Sequence, residues 1–93
     1  MFGASTIELE IMELLAPGGG LYGLEMVKAS DKIKRGTVYV YLSRMEDKEW
    51  VRSEAEKVAS MPGLPRRRYW LTDAGKRILD RAVDMKKHFE AWA

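Results

Sequence analysis

The first third of the chain carries apolar residues at helical spacing. Its first apolar stripe consists of Ile7, Ile11, Leu14 and Leu15. Ser5 and Glu8 have the spacing of a capping box, in which a hydroxyl and a carboxylate satisfy free backbone amides at a helix start. Pro17 and the glycines that follow it interrupt the pattern. We therefore predict a first helix that runs to about Ala16.

The same periodicity predicts two further helices. Leu21 to Ala29 should form a short second helix, because it has apolar residues at three-residue intervals, namely Leu21, Leu24 and Val27. Gly23 within it lowers helix propensity, which indicates a close approach by a neighbouring element. After a polar turn over 30–35, the third helix is predicted over Gly36 to Lys48. Its buried stripe is expected to be Val38, Leu42 and Met45.

The outward face of the third helix is predicted to consist of small and hydrogen-bonding residues. At about 100° per residue, the positions opposite the buried stripe are Gly36, Thr37, Val40, Ser43, Arg44 and Asp47. Tyr39 and Tyr41 lie on its two flanks. This face therefore offers hydroxyl groups and one guanidinium group to whatever binds there.

A β-hairpin should follow the third helix. Trp50 to Glu54 and Arg68 to Leu71 have the composition of strands, and Pro62-Gly63-Leu64-Pro65 between them is typical of a turn. The predicted order is thus three helices, a two-stranded hairpin with a long basic tip, and a last helix. This order predicts a mainly α fold with a small β-hairpin, which is a winged helix-turn-helix.

The last helix is predicted to mediate dimerisation. Thr72 and Asp73 supply its N-cap and a carboxylate in its first turn. A seam with alternating spacings of four and three residues follows, as in a coiled coil, and consists of Ile78, Ala82, Met85, Phe89 and Trp92, with Leu79 and Val83 widening it. We expect a winged-helix domain over 1–71 and a dimerisation helix over 72–93, in one compact unit. The alternative is that the stripe folds back on the first helix of the same chain.

Composition and charge narrow the class of protein. The 93 residues contain no cysteine, so neither a disulfide framework nor a thiolate metal site is expected. The net charge of +2 is weak, but cations cluster at Lys28 to Arg35 and at Arg66-Arg67-Arg68. The N-terminus lacks the pattern of a signal peptide, and no apolar run is long enough to span a membrane. We therefore expect a cytoplasmic protein without a membrane partner.

Each part of this arrangement has chemistry that suits double-stranded DNA. In a winged helix the third helix enters the major groove and the wing contacts the adjacent backbone. Lys34 and Arg35 would neutralise phosphates, and the amides and hydroxyl of Gly36-Thr37 would address a phosphate at the helix start. The predicted base contacts are a thymine methyl group for Val40, a base edge for Ser43, and guanine or phosphate for Arg44.

The wing is predicted to contribute the arginine triplet. Strand alternation should send Arg67 to the face opposite Arg66 and Arg68, so the three cannot all contact one groove. The alternative interpretation is a solvated charge run on an exposed hairpin.

Several segments match a known family in register. They are Leu21-Tyr22-Gly23-Leu24-Glu25-Met26, Gly36-Thr37-Val38-Tyr39, Leu42 to Glu46, Pro65-Arg66-Arg67-Arg68-Tyr69 and Leu71-Thr72-Asp73-Ala74-Gly75. Together they resemble the PadR family of transcription regulators. The resemblance implies a winged-helix dimer that represses transcription and is often released by a small ligand. It also implies recognition-helix contacts for Thr37, Tyr39 and Arg44, and wing contacts for the arginines after Pro65.

The chain departs from the family pattern at three positions. Glu49 stands where the family commonly has a glycine, which would end the third helix in a left-handed conformation at little cost. The end of that helix is therefore expected to differ. Val40 stands where proline is frequent and Tyr41 where a small residue is usual, so sequence specificity cannot be transferred from the family.

The sequence gives less support to functions other than DNA binding. His88 is the only histidine and has no recognisable catalytic or metal partner, and Gly18-Gly19-Gly20 lacks the rest of a phosphate-loop motif. No enzyme, metal or cofactor is therefore expected. A winged helix that binds a protein, and an architectural DNA binder with little sequence preference, remain as alternatives. Met85, Phe89 and Trp92 could line a pocket for a flat aromatic effector, although interface packing also explains them.

Overall fold

A computed structural model describes residues 4–57 and 65–92. Along these ranges the elements are α1 (Thr6–Leu15), β1 (Leu21–Tyr22), α2 (Gly23–Ala29), α3 (Val38–Asp47), β2 (Val51–Lys57), β3 (Pro65–Leu71) and α4 (Asp73–Trp92). The strands form one antiparallel sheet in the order β1-β3-β2. The mainly α winged helix-turn-helix predicted from the sequence is confirmed. The predicted wing turn at 62–64 and the side chain of Trp92 lie outside the described part.

The first helix begins with the predicted capping box. The amide of Glu8 donates to Ser5 Oγ over 3.2 Å, and the amide of Ser5 donates to Glu8 Oε1 over 2.9 Å. The other carboxylate oxygen of Glu8 accepts from Lys48 Nζ, 3.0 Å away at the end of α3. Glu8 is only 4% exposed, so this acid joins two helices at the edge of the core.

The predicted start of the second helix is wrong. Leu21 and Tyr22 form a short strand, β1, opposite Tyr69 and Arg68 of β3, so the sheet built by residues 4–57 and 65–92 has three strands and not two. The helix begins only at Gly23, where the amide of Tyr22 donates to the carboxylate of Glu25 over 2.8 Å. Pairing with β3 satisfies backbone groups that a longer helix would have satisfied internally.

The third helix is shorter than predicted at both ends. It spans Val38–Asp47, and its predicted buried stripe of Val38, Leu42 and Met45 is fully inaccessible to solvent. At its C-terminus Glu49 adopts a left-handed conformation with φ of 64°. The amides of Glu49 and Trp50 donate to the carbonyls of Glu46 and Met45, each over 2.9 Å, as in a Schellman motif. A glutamate thus adopts the conformation that usually selects glycine.

The strands of the wing are longer than predicted. They pair from Val51 opposite Leu71 out to Lys57 opposite Pro65, whereas the sequence suggested strands that ended at Glu54 and began at Arg68. Both faces of an extended hairpin contact water, so its side chains can be polar at every position. The outer halves of these strands therefore lack the alternation of apolar and polar residues that predicts a strand.

The core lies between the helices and one face of the sheet. Its buried members are Ile11, Met12, Leu15, Met26, Ile33, Val38, Leu42, Met45, Val51, Tyr69, Leu71 and Leu79. α4 contacts α1 near its start, and only this part of α4 contributes to the core. The molecule is elongated, at 54 × 26 × 22 Å. No helix within the described ranges combines the length and apolarity needed to cross a membrane.

Candidate nucleic-acid interface

The outward face of α3 is accessible, as the sequence predicted. Thr37, Ser43 and Arg44 are exposed, and Tyr39 and Val40 each retain 49% of their accessible surface. Each of these two side chains thus keeps about half of its surface in contact with water, whereas the buried stripe of the same helix is fully covered. The face is therefore available for an external partner.

The turn before α3 differs in one respect from the prediction. Lys34, Arg35 and Gly36 are exposed, which keeps both cations at the edge of this face. The amides of Thr37 and Val38, however, donate to the carbonyl of Lys34 over 3.1 Å and 2.9 Å. Two of the phosphate donors that the sequence suggested, the amide and the hydroxyl of Thr37, are therefore directed at this carbonyl within the turn, the hydroxyl over 3.4 Å. The side chains of Lys34 and Arg35 are exposed and accessible for a phosphate contact.

The ring of Tyr39 packs closely against α2 at Gly23, where there is no side chain in the way. A Cβ atom built on Gly23 would lie 2.7 Å from Cε1 of the Tyr39 ring, closer than van der Waals contact allows. The close approach predicted from Gly23 is confirmed, and the neighbouring element is α3. The ring is oriented by this contact although half of its surface faces solvent.

The two sides of β3 give its arginines different surroundings. Arg67 lies on the same face as Tyr69, which is the face toward the core, while Arg66 and Arg68 lie on the outer face, as strand alternation predicts. Arg67 Nη1 donates to Ser53 Oγ over 2.9 Å, and Ser53 Oγ donates to Glu46 Oε2 over 2.7 Å. Glu46 belongs to α3, so this chain of hydrogen bonds connects the wing to the third helix.

Arg68 has a dense set of partners within the chain. Its Nε donates to Glu56 Oε1 over 2.7 Å, its Nη2 to the Tyr22 hydroxyl over 2.8 Å, and its Nη1 to the Gly20 carbonyl over 3.3 Å. The Tyr22 hydroxyl in turn donates to Glu56 Oε2 over 2.7 Å. The guanidinium of Arg68 and the hydroxyl of Tyr22 together hold the pKa of Glu56 below its ordinary value. Sequence reasoning missed this network because its members lie far apart along the chain.

A cleft of about 460 Å³ separates the wing from the helices. Tyrosines from β1, α3 and β3 line it together with basic residues of α2 and the wing, and the lining residues include Tyr22, Tyr39, Tyr69, Lys28, Arg66 and Arg67. The cleft is thus bordered by α2, which also contributes Glu25, by Tyr39 at the flank of the exposed α3 face, and by two arginines of the wing.

The apolar stripe of α4 is divided between two environments. Leu79 is 8% exposed and belongs to the core of its own chain, and Ile78 packs against that core. Ala82 is half-buried, whereas Met85 and Phe89 farther along are exposed, Phe89 to 68%. The first part of the stripe therefore folds against its own chain, which was the alternative to the dimer seam. The later part has an unpartnered apolar surface within the described residues.

The comparisons with known proteins agree with this geometry. Residues 11–81 match the family profile described as the transcriptional regulator PadR-like family. A PadR family transcription regulator from Clostridium difficile R20291 is 27% identical, with a TM-score of 0.79, over 94% of this chain and 93% of that one. A PadR family regulator from Eggerthella lenta is 28% identical, with a TM-score of 0.73, over 92% and 75% of the two chains.

A further neighbour was solved on DNA. PadR of Bacillus subtilis, in complex with operator DNA, has a TM-score of 0.77 and 21% identity over 85% of this chain and 47% of that one, a likeness of fold. No significant match to a curated protein was found. The profile covers most of the chain and the matched structures have the same winged-helix architecture. The chain therefore belongs to the transcriptional regulator PadR-like family, and it is a winged-helix transcription regulator and not an enzyme.

Proposed function

We propose that this protein is a homodimeric repressor that binds a palindromic operator in the cytoplasm through α3 and the wing. The observation that carries the proposal is the exposed polar face of α3 beside an arginine-bearing strand to which it is hydrogen-bonded through Ser53. The operator complex of Bacillus subtilis PadR, whose fold this chain shares, supports DNA as the partner.

The proposed base contacts lie on α3. Arg44 and Ser43 are exposed on one face, where a guanidinium group could bind guanine and a hydroxyl could bind either member of a base pair. Val40 adds an apolar surface suited to a thymine methyl group, and Tyr39 lies at the flank that borders the cleft. Major-groove contacts of this kind distinguish base pairs, so they are the source of sequence specificity in the proposal.

The proposed backbone contacts lie on either side of α3. Lys34 and Arg35 precede the helix, with Gly36 and Thr37 at its start, and Arg66 and Arg67 border the cleft from the wing. A strand of the duplex that passes between the start of α3 and the wing would bring its phosphates near both groups of cations. Phosphate neutralisation supplies affinity without sequence information.

The homodimer follows from the exposed part of α4. Met85 and Phe89 lie four residues apart on one face of the helix and are both exposed, and an unpartnered apolar surface of this kind is typical of an interface. Two-fold symmetry would place two copies of α3 roughly 34 Å apart, one turn of DNA, and match a palindromic site. The paired Met85 and Phe89 side chains would also supply an apolar wall for a flat aromatic effector.

Selection of bound duplexes from a random pool, at one stated salt concentration, tests the function. We expect enrichment of two inverted half-sites about 10 base pairs apart, which reports both specificity and the dimer. Enrichment of no sequence would favour an architectural binder, and the absence of binding even at low ionic strength would favour a protein-interaction module.

Variants then test the assignment of α3. Arg44→Ala should weaken binding of the selected duplex by about 1–3 kcal/mol, which is roughly 5- to 150-fold, and change binding of random DNA much less. Arg81→Ala, which removes an exposed arginine from α4, is the matched control and should bind both duplexes like the parent. Equal binding by Arg44→Ala and Arg81→Ala would contradict the proposed base contact.

A further inference from the structure

We propose that Tyr22, Glu56 and Arg68 form a clamp that fixes the direction of the wing, so that Arg68 is a positioning residue for DNA binding and not a phosphate ligand. The clamp itself is a property of the free protein, whereas its effect on DNA rests on the function proposed above. Tyr22 lies in β1 at the start of α2, Glu56 in the outer half of β2, and Arg68 in β3 between them.

The three side chains close a ring of hydrogen bonds. Arg68 donates to one oxygen of Glu56 over 2.7 Å and to the Tyr22 hydroxyl over 2.8 Å, and that hydroxyl donates to the second Glu56 oxygen over 2.7 Å. The remaining guanidinium nitrogen donates to the Gly20 carbonyl over 3.3 Å. Each nitrogen of Arg68 thus donates to a partner in its own chain. Each of these bonds has an ionised donor or acceptor, and such hydrogen bonds are shorter and stronger than those between neutral groups.

The ring lies where the body of the protein stops supporting the wing. The backbone of β3 is paired on both sides only at Tyr69 and Arg68, because β1 contains two residues. Beyond that point β2 and β3 continue as an isolated pair through 55–57 and 65–67. A two-stranded hairpin alone is marginally stable in water. The clamp therefore connects β1 and the loop before it to Glu56 in this extension through side chains.

The direction of the extension decides where the two wing cations outside the ring, Arg66 and Arg67, lie. Arg66 is next to the clamp, with its guanidinium carbon 5.4 Å from the centre of the Tyr22 ring, and Arg67 lies on the opposite face. A wing that is held in one direction before binding loses less conformational freedom when it meets DNA. Loss of the clamp should therefore weaken binding even though no phosphate contact is removed.

Removal of the charge of Glu56 distinguishes this proposal from the alternative that Arg68 is a phosphate ligand. If Arg68 were a phosphate ligand restrained by Glu56, then Glu56→Gln would release it and strengthen DNA binding. If the clamp acts by position, Glu56→Gln weakens binding relative to a variant with the same change of charge. Glu54→Gln is that control, because Glu54 lies on the same face of β2, is 66% exposed and is outside the ring.

The experiment measures the affinity of the full chain for the selected duplex over a series of salt concentrations. We expect Glu56→Gln to bind about three- to tenfold more weakly than Glu54→Gln, the fold-change that corresponds to loss of a typical hydrogen bond. Tyr22→Phe should weaken binding to a similar extent and leave the salt slope unchanged. Arg67→Gln should reduce that slope by about 1, whereas Arg68→Gln should not.

A second measurement does not involve DNA. Amide hydrogen exchange in the outer strand residues 55–57 and 65–67 should be faster in Glu56→Gln and Tyr22→Phe than in the parent, and unchanged in Glu54→Gln. If the parent binds no DNA, the proposed function fails while the exchange data still test the clamp. Unchanged exchange in both clamp variants, tighter DNA binding by Glu56→Gln than by Glu54→Gln, or an equal fall in slope for Arg68→Gln and Arg67→Gln would each overturn the proposal.

Discussion

Replacing Glu49 by glycine should stabilise the protein. Glu49 ends α3 at a φ of 64°, and a residue with a Cβ atom pays about 1–2 kcal/mol for this left-handed conformation. Glycine removes that cost. Its greater conformational freedom stabilises the unfolded chain by about 0.4–1 kcal/mol, which offsets part of the gain. Removal of a carboxylate from the negative end of the helix dipole adds a few tenths, about 0.3 kcal/mol. The expected net gain is about 1 kcal/mol.

The assay is thermal and urea unfolding at one protein concentration. For a domain of this size, about 1 kcal/mol corresponds to a rise in Tm of roughly 4–8 °C. Glu49→Ala is the control, because it removes the same charge from the same exposed position and keeps the left-handed strain. Glu49→Gly should therefore exceed Glu49→Ala in stability, and DNA binding should be retained by both. A glycine variant no more stable than the alanine variant would refute the reasoning.

Two further substitutions test the core. Gly75→Ala should lower the free energy of unfolding by about 1–3 kcal/mol in urea titrations, since its Cβ would overlap the carbonyl oxygen of Trp50; unchanged stability would contradict this packing. Glu8→Gln should cost about 1 kcal/mol at neutral pH, because it preserves the capping box but loses the charge paired with Lys48. Burial raises the pKa of Glu8, but the amide of Ser5 and the ammonium of Lys48 lower it more, so the net pKa lies below its ordinary value. A group with a lowered folded pKa stabilises above its unfolded pKa and loses that contribution as pH falls through the folded value, so the difference between parent and variant should vanish in acid. A difference that keeps its full size down to about pH 2 would contradict the ion pair.

The helices whose burial depends on local spacing were predictable from the sequence. Val38, Leu42 and Met45 share one face of any helix that contains them, and all three are fully buried. The opposite face is then determined by the same geometry, which is why the exposure of Ser43 and Arg44 was also predicted. Neither inference required knowledge of what packs against the helix.

The strand β1 could not be derived in this way. Leu21 fits the helical spacing of Leu24 as well as it fits a strand. Its partner in the sheet is Tyr69, which lies 48 residues farther along the chain. The boundary between β1 and α2 does have a local marker, the spacing of Tyr22 and Glu25. The carboxylate of Glu25 accepts from the amide of Tyr22 over 2.8 Å, an interaction typical of the residue that precedes a helix.

The arginines of the wing show the limit of strand alternation. Alternation placed Arg67 opposite its neighbours correctly, because side chains on a strand have a period of two. It could not identify the partner of Arg68, which faces Glu54 in the strand register but bonds to Glu56. The hydroxyl of Tyr22, a residue of β1, donates to the second oxygen of Glu56. Because periodicity did not predict β1, it could not predict this contact either.

The division of α4 has a geometric origin. At about 1.5 Å per residue, the 20 residues of α4 extend roughly twice as far as the 10 residues of α1. Because α1 is the helix against which α4 packs, the body can cover only the first part of α4, where Leu79 is buried. The spacing that buries Leu79 continues past the end of this support, so Met85 and Phe89 remain exposed. A uniform seam in the sequence therefore corresponds to two surfaces, one covered by its own chain and one that we propose is covered by a second copy.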